Sequence, residues 1–195
     1  MRMADGLFDV ARKTIYHDTA GFSYGPSTHP VSQSLARKIY AWIGSRYKYT
    51  PRQAKVSPVF LIYRDSVQTV SYWHLAVQHT QTDAAIHLIM NLVSFNTVTA
   101  GDIVVITPYC DGVRRVCSAL RKPPALADVA VHSTNSCQGM ETQVVDFLMC
   151  VDGYTGPLFL AHTTRLCSAI TRHTSALFVV VDTCTVNIFA GDSVL

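Results

Sequence analysis

The sequence predicts a three-layer α/β domain with a mainly parallel central sheet. The runs Ile103–Ile106 and Leu177–Val181 are wholly apolar and rich in β-branched residues. Without the alternation of a half-exposed strand, such runs suit strands buried on both faces. Between the strand-like runs lie segments with apolar residues at helical spacing, and strand–helix alternation of this kind lays helices on the faces of a parallel sheet. At 195 residues and 49% hydrophobic content, the chain fits one domain with a sizeable core, so residues 1–195 are read as a single unit.

In chain order, residues 1–28 mix Gly, His, Asp and aromatics without sustained periodicity and read as an irregular entry segment, with Gly21–Pro26 as loop. A helix is expected from His29 to about Gly44. Pro30 stands at a tolerated first-turn position, and Val31, Leu35, Ile39, Trp42 and Ile43 share one face. The polar stretch Ser45–Lys55 carries Arg46, Lys48, Arg52 and Lys55 with Tyr47 and Tyr49 between them, followed by an apolar strand Val59–Tyr63. That basic stretch admits two readings, a solvated loop or a grip on nucleic acid by charge and stacking. Thr80 and Asp83 resemble a capping box, opening a helix from about Gln81 to Phe95. The strand Ile103–Ile106 comes next. Beyond it follow a helix Asp111–Leu120, strands Val129–His132 and Val144–Met149, a helix Thr163–Thr171 and a strand Leu177–Val181.

Only 15% of residues are charged and the net charge is +3, so bulk charge permits a nucleic-acid partner without demanding one. The six cysteines are scattered without a CxxC pair and read as buried free thiols. No signal-peptide pattern occurs and no apolar run reaches the length of a membrane helix, so a cytoplasmic or nuclear protein without a membrane partner is expected.

Three segments place polar groups at the ends of strands or helices: Ile106-Thr-Pro-Tyr109, Ser133-Thr-Asn-Ser-Cys-Gln-Gly-Met-Glu141 and Arg165-Leu-Cys-Ser-Ala-Ile-Thr-Arg172. Open α/β sheets bind ligands beyond the carboxyl ends of their strands. Thr107, Tyr109 and the loop Ser133–Glu141 are therefore expected at one common edge, with Arg172 apart from them, ahead of its strand.

In order and spacing, ITPY, then CQGxE before VVDF, then RLxxAITR before LFVVVD resembles motifs IV, V and VI of superfamily 1 helicases, over about residues 81–182. The pattern is most similar to the branch that holds the RNA-surveillance helicase. The resemblance implies a RecA-like domain of the P-loop NTPase type, the second lobe of an ATP-driven motor on single-stranded RNA or DNA. In such a pair ATP lies between two lobes, and a cation from the second meets the charge developing at the γ-phosphate. The resemblance makes Arg172 that arginine finger. It places Gln138, Gly139, Glu141 and Arg165 at the nucleotide, and Thr107, Pro108, Tyr109, Ser133 and Thr134 at the sugar-phosphate backbone. No GxxxxGK[ST] loop occurs in the sequence. ATP and Mg²⁺ are therefore expected to be held mainly by an N-terminal RecA-like lobe, and this chain alone is not expected to hydrolyse ATP. The face meant for that lobe is expected to be open to association.

The sequence departs from the family pattern where Gly112 replaces a glutamine, Asn135 an aspartate, Cys167 an asparagine and Thr174 an arginine. These losses of hydrogen-bonding groups favour an alternative: a degenerate lobe that binds nucleic acid or protein without ATPase activity. Other readings stand beside these. Glu141 and Arg172 also suit plain salt-bridge residues. Val179-Val-Val-Asp182 imitates a magnesium-binding strand end but, without a phosphate loop, reads rather as a strand with a solvated end. His132 with Cys137 raises a thiol nucleophile as a third class of function, and neither Cys110 with Cys117 nor His162 with Cys167 has the spacing of a zinc site.

Overall fold

The computed structural model describes residues 3–4, 6–19, 21, 30–47, 56–63, 68–70, 76–150 and 163–182. The elements in chain order are α1 (Asp9–Thr14), α2 (Pro30–Tyr47), β1 (Val59–Tyr63), β2 (Gln68–Val70), β3 (Ala76–Gln78), α3 (His79–Ser94), β4 (Ile103–Thr107), α4 (Cys110–Leu120), β5 (Ala130–Ser133), β6 (Thr142–Leu148), α5 (Thr163–Ile170) and β7 (His173–Asp182).

Five strands form one sheet in the order β1-β7-β6-β4-β5, every pair parallel, while β2 and β3 pair as a separate antiparallel ribbon. The step from β4 to β5 and the step from β6 to β7 run in opposite directions along the sheet. Right-handed connections then put α4 and α5 on opposite faces. With α3 packed beside α4, and α2 joined to α3 through Trp42 and Phe95, the three layers expected from the sequence are present. Ile103 to Thr107 are buried without exception, as covering on both faces requires.

The N-terminal segment is more ordered than its composition suggests. Residues 9–14 form α1, too short for periodicity to register, and it is held by tertiary contact: the Ala4 N–H donates to the Thr174 carbonyl at 2.7 Å, while Leu7, Phe8 and Ala11 are buried. Helix α2 runs past Gly44 to Tyr47. Trp42 meets the Tyr47 ring at 5.9 Å, a contact that the last turn makes possible. Strand β7 begins at His173, four residues before the apolar run, because Thr142 and His173 already pair across β6 and β7. The residues of the basic stretch beyond Tyr47, and His162 and Cys184, lie outside the described residues.

Candidate functional site

The expectation of one common edge is corrected by the strand order. Thr107 and Ser133 pair at the carboxyl ends of β4 and β5, and the Thr134 N–H donates to the Thr107 carbonyl at 3.2 Å. From there the eight residues 134–141 cross to the amino end of β6. Their far end therefore sits at the opposite edge, where the Thr142 N–H donates to the Arg172 carbonyl at 3.0 Å.

At the carboxyl edge, Thr107, Pro108 and Thr134 are buried, and Tyr109 and Ser133 are partly exposed. The Thr107 hydroxyl lies 3.2 Å from the Cys150 thiol, inside the domain. The hydroxyls of Thr107 and Thr134 expected at a nucleic-acid backbone are thus turned into the fold. Ser133 and Ser136 cap one another: the Ser136 N–H donates to the Ser133 hydroxyl at 3.1 Å and the Ser133 N–H to the Ser136 hydroxyl at 2.9 Å. Gly112, at the position of the family's glutamine, packs against this edge. A Cβ there would stand 2.6 Å from the Thr107 Oγ1, so the start of α4 admits no side chain unless Thr107 moves.

At the amino edge, an open groove of about 750 Å³ is lined by Gly139, Met140 and Glu141 from the crossing loop and by Thr171 to Thr174 at the start of β7. Met3, Phe8 and Tyr16 of the N-terminal segment complete it. It brings together three residues singled out from the sequence: Gly139, Glu141 and Arg172. Gln138, exposed on the loop, and Arg165, half-buried on α5, are not among the lining residues. Gly139 takes φ +81° with open space beside it, so its need for glycine lies in the backbone angle rather than in a crowded Cβ. Among the described residues, Arg172 is the only lysine or arginine lining the groove. One of its terminal nitrogens donates to the Thr171 hydroxyl at 2.9 Å, and its buried Nε has no hydrogen-bond partner among the described residues.

The N-terminal contribution was not read from the sequence. Phe8 and Tyr16 stack with centroids 5.8 Å apart, and the Tyr16 hydroxyl lies 3.1 Å from the thiol of Cys167, the residue that replaces the family's asparagine. That contact to Cys167, with burial, pushes the Tyr16 hydroxyl above its ordinary value, and the Arg172 charge opposes the rise. Thr174, in place of an arginine, donates to the Gln143 amide oxygen at 3.1 Å.

The thiol-nucleophile reading finds Cys137 buried, its thiol donating to the Thr134 carbonyl at 3.3 Å. Burial pushes this thiol up, Arg172 offsetting part of the rise. Five cysteines are free among the described residues, of which Cys137 and Cys150 are buried and Cys110 is exposed. Asp182, expected at a solvated strand end, is fully buried and paired in register with Tyr63. Two further buried groups surfaced only in the fold: Asp146 in β6 and His173 in β7, none of whose side-chain polar atoms has a hydrogen-bond partner among the described residues.

No curated protein matches this chain. Among solved structures, it is similar to the C-terminal domain of a possible DNA helicase from Lactobacillus plantarum WCFS1, at 10% identity over 81% of this chain and 88% of that one, with a TM-score of 0.45. A family model described as AAA domain matches residues 1–184, which is nearly the whole sequence. The chain belongs to the AAA domain family.

Proposed function

We propose that this chain is the second RecA-like lobe of a superfamily 1 helicase, of the kind found in the RNA-surveillance branch, and that it closes on ATP held by an N-terminal lobe. The observation that carries the reading is the groove at the amino edge, where motif V-like Gly139 and Glu141 meet motif VI-like Arg172 from a distant part of the chain. ATP fits this groove. Its volume lies within the range of ligand sites, Arg172, the one lysine or arginine that lines it among the described residues, is half-buried, and the Arg172 Nε lacks a hydrogen-bond partner among those residues. ATP supplies the phosphoryl group whose transfer drives the motor.

Arg172 would serve as the arginine finger: half-buried in the groove, its guanidinium would meet the charge developing at the γ-phosphate, where a fixed charge acts most strongly. Gly139 would offer its backbone N–H from a turn with φ +81°, which glycine adopts most readily. Gln138, Glu141 and Arg165 contribute at the nucleotide as the lobes close, and Mg²⁺ is held mainly by the phosphate-loop lobe. Single-stranded RNA or DNA runs along the carboxyl edge. Tyr109 and Ser133 are its accessible contacts, and Thr107, Pro108 and Thr134 shape that edge from within.

A second reading, a lobe that binds nucleic acid or protein without turnover, is favoured by the contact between Cys167 and Tyr16 where the family pattern has an asparagine. The test is ATPase activity of this chain joined to a phosphate-loop lobe, with and without single-stranded RNA and DNA. Arg172→Ala is expected to reduce stimulated turnover by roughly 10³-fold or more. Binding of single strands without turnover in either protein would sink the motor reading and leave the binding module.

A further inference from the structure

Residues 19–64 hold seven of the sixteen lysines and arginines and not one carboxylate, so the rest of the chain carries nine cations against thirteen carboxylates. A net charge of +3 therefore conceals one strongly basic segment, and its longest described element is α2. The helix buries Ala36, Ile39, Tyr40 and Ile43. Lys38, Trp42 and Arg46, spaced four apart, stack along its outer side, with Lys38 and Arg46 exposed and Trp42 half-buried.

Aromatic rings interleave with these cations. Tyr47 meets the edge of Trp42, and Phe95, just past the end of α3, lies 6.4 Å from Trp42 and 5.4 Å from the Arg46 guanidinium. Tyr47 and Phe95 remain 49% and 57% exposed, far more than a core role requires. Arg46 also reaches Asn91 at 3.4 Å, which fixes it over the ring.

We propose that this face of α2, with the end of α3, is a binding site for single-stranded nucleic acid. Phosphates meet Lys38 and Arg46, and unpaired bases stack on the rings of Tyr47, Trp42 and Phe95. Charge with exposed rings is what an unspecific single-strand site uses, since every base has a π-face and every linkage a phosphate. An acidic peptide would satisfy the cations and leave the rings in water. Because α3 ends where the chain enters β4, the site lies toward the amino edge of the sheet, away from Tyr109 and Ser133. It thus goes beyond the lobe reading above and does not rest on it.

The experiment is fluorescence anisotropy with labelled 20-residue poly-uridine and poly-thymidine on the full chain, over a salt series. In parallel, tryptophan emission is followed in a Trp73→Phe background, where Trp42 is the only tryptophan. Lys38→Gln with Arg46→Gln is expected to weaken binding at least about fivefold and to lower the slope of log affinity against log salt by about 0.7 for each phosphate no longer neutralised. Tyr47→Ala or Phe95→Ser is expected to weaken it roughly fivefold or more, and Trp42 emission to be quenched on binding. Circular dichroism melts confirm that these surface variants fold. Binding that is unchanged in all these variants, no binding by the wild type, a defect confined to Tyr109→Ala, or displacement by polyglutamate as readily as by nucleic acid would each overturn the proposal. The Tyr109 outcome would do so while leaving the carboxyl-edge reading intact.

Discussion

Replacing Asp146 with asparagine removes one of two buried groups whose titrations oppose each other in this fold. Burial pushes the Asp146 carboxyl from 3.8 up to about 7 and the His173 imidazole from 6.5 down to about 3, and neither side chain has a hydrogen-bond partner among the described residues. Between about pH 4 and 6.5 the folded protein keeps a proton on Asp146 that the unfolded chain has lost, so this group makes stability fall as pH rises. In the same window the unfolded chain holds a proton on His173 that the folded protein refuses, so this group makes stability rise with pH. Each slope is about 1.4 kcal/mol per pH unit, and with opposite signs they cancel.

In Asp146→Asn only the histidine remains. Its stability relative to wild type is expected to climb across pH 4 to 7 by about 4 kcal/mol in all, a large fraction of the roughly 5–15 kcal/mol typical of a domain. In His173→Gln the opposite is expected: stability relative to wild type falls from about pH 3 to 6.5, by about 5 kcal/mol. Urea unfolding at half-unit pH steps measures both, and taking each variant against wild type removes the titration of every other carboxylate. Parallel curves for wild type and Asp146→Asn would refute the buried placement of that carboxyl.

Gly112→Ala is expected to destabilise by about 1–3 kcal/mol, because its methyl meets the buried Thr107 hydroxyl at 2.6 Å and the strain outweighs any gain in helix propensity. Thr107→Ala in the same chain should recover most of that stability in urea unfolding, and a Gly112→Ala protein as stable as wild type would show that α4 does not pack so closely. Gln81→Leu leaves the Cys150 N–H, which donates to the Gln81 amide oxygen at 3.0 Å, without that partner inside the domain. A destabilisation of about 1–3 kcal/mol and faster amide exchange at Cys150 are expected, and unchanged exchange would contradict the bond. At Gly139, Asn is expected to be tolerated and Val to cost about 1–2 kcal/mol, since φ is +81° in open space and the penalty is purely one of backbone angle. Equal melting temperatures for the two variants would count against that conformation.

The periodicity that separates α2, α3 and α4 from the buried runs of β4 and β7 is local, and it is legible in the sequence as the parallel α/β class. So are Gly139, Glu141 and Arg172, because their spacing in the chain carries a pattern. What local pattern does not carry is the order of strands. With β6 between β7 and β4, the loop after Ser133 must cross the sheet, and this separates Ser133 from Glu141 and joins Glu141 to Arg172. The depth of Thr107, Thr134, Asp146 and His173 depends on the same long-range pairing, as does the docking of Met3, Phe8 and Tyr16 on the groove. The sequence by itself determined the amphipathic helices α2 to α5, the apolar cores of the five sheet strands and which residues carry charge at their ends, since neighbouring residues decide these, while α1 and the ribbon of β2 and β3 left no such local pattern. Only the tertiary structure decided which ends share an edge and which polar groups are shut away from water, since contacts between segments far apart in the chain decide those.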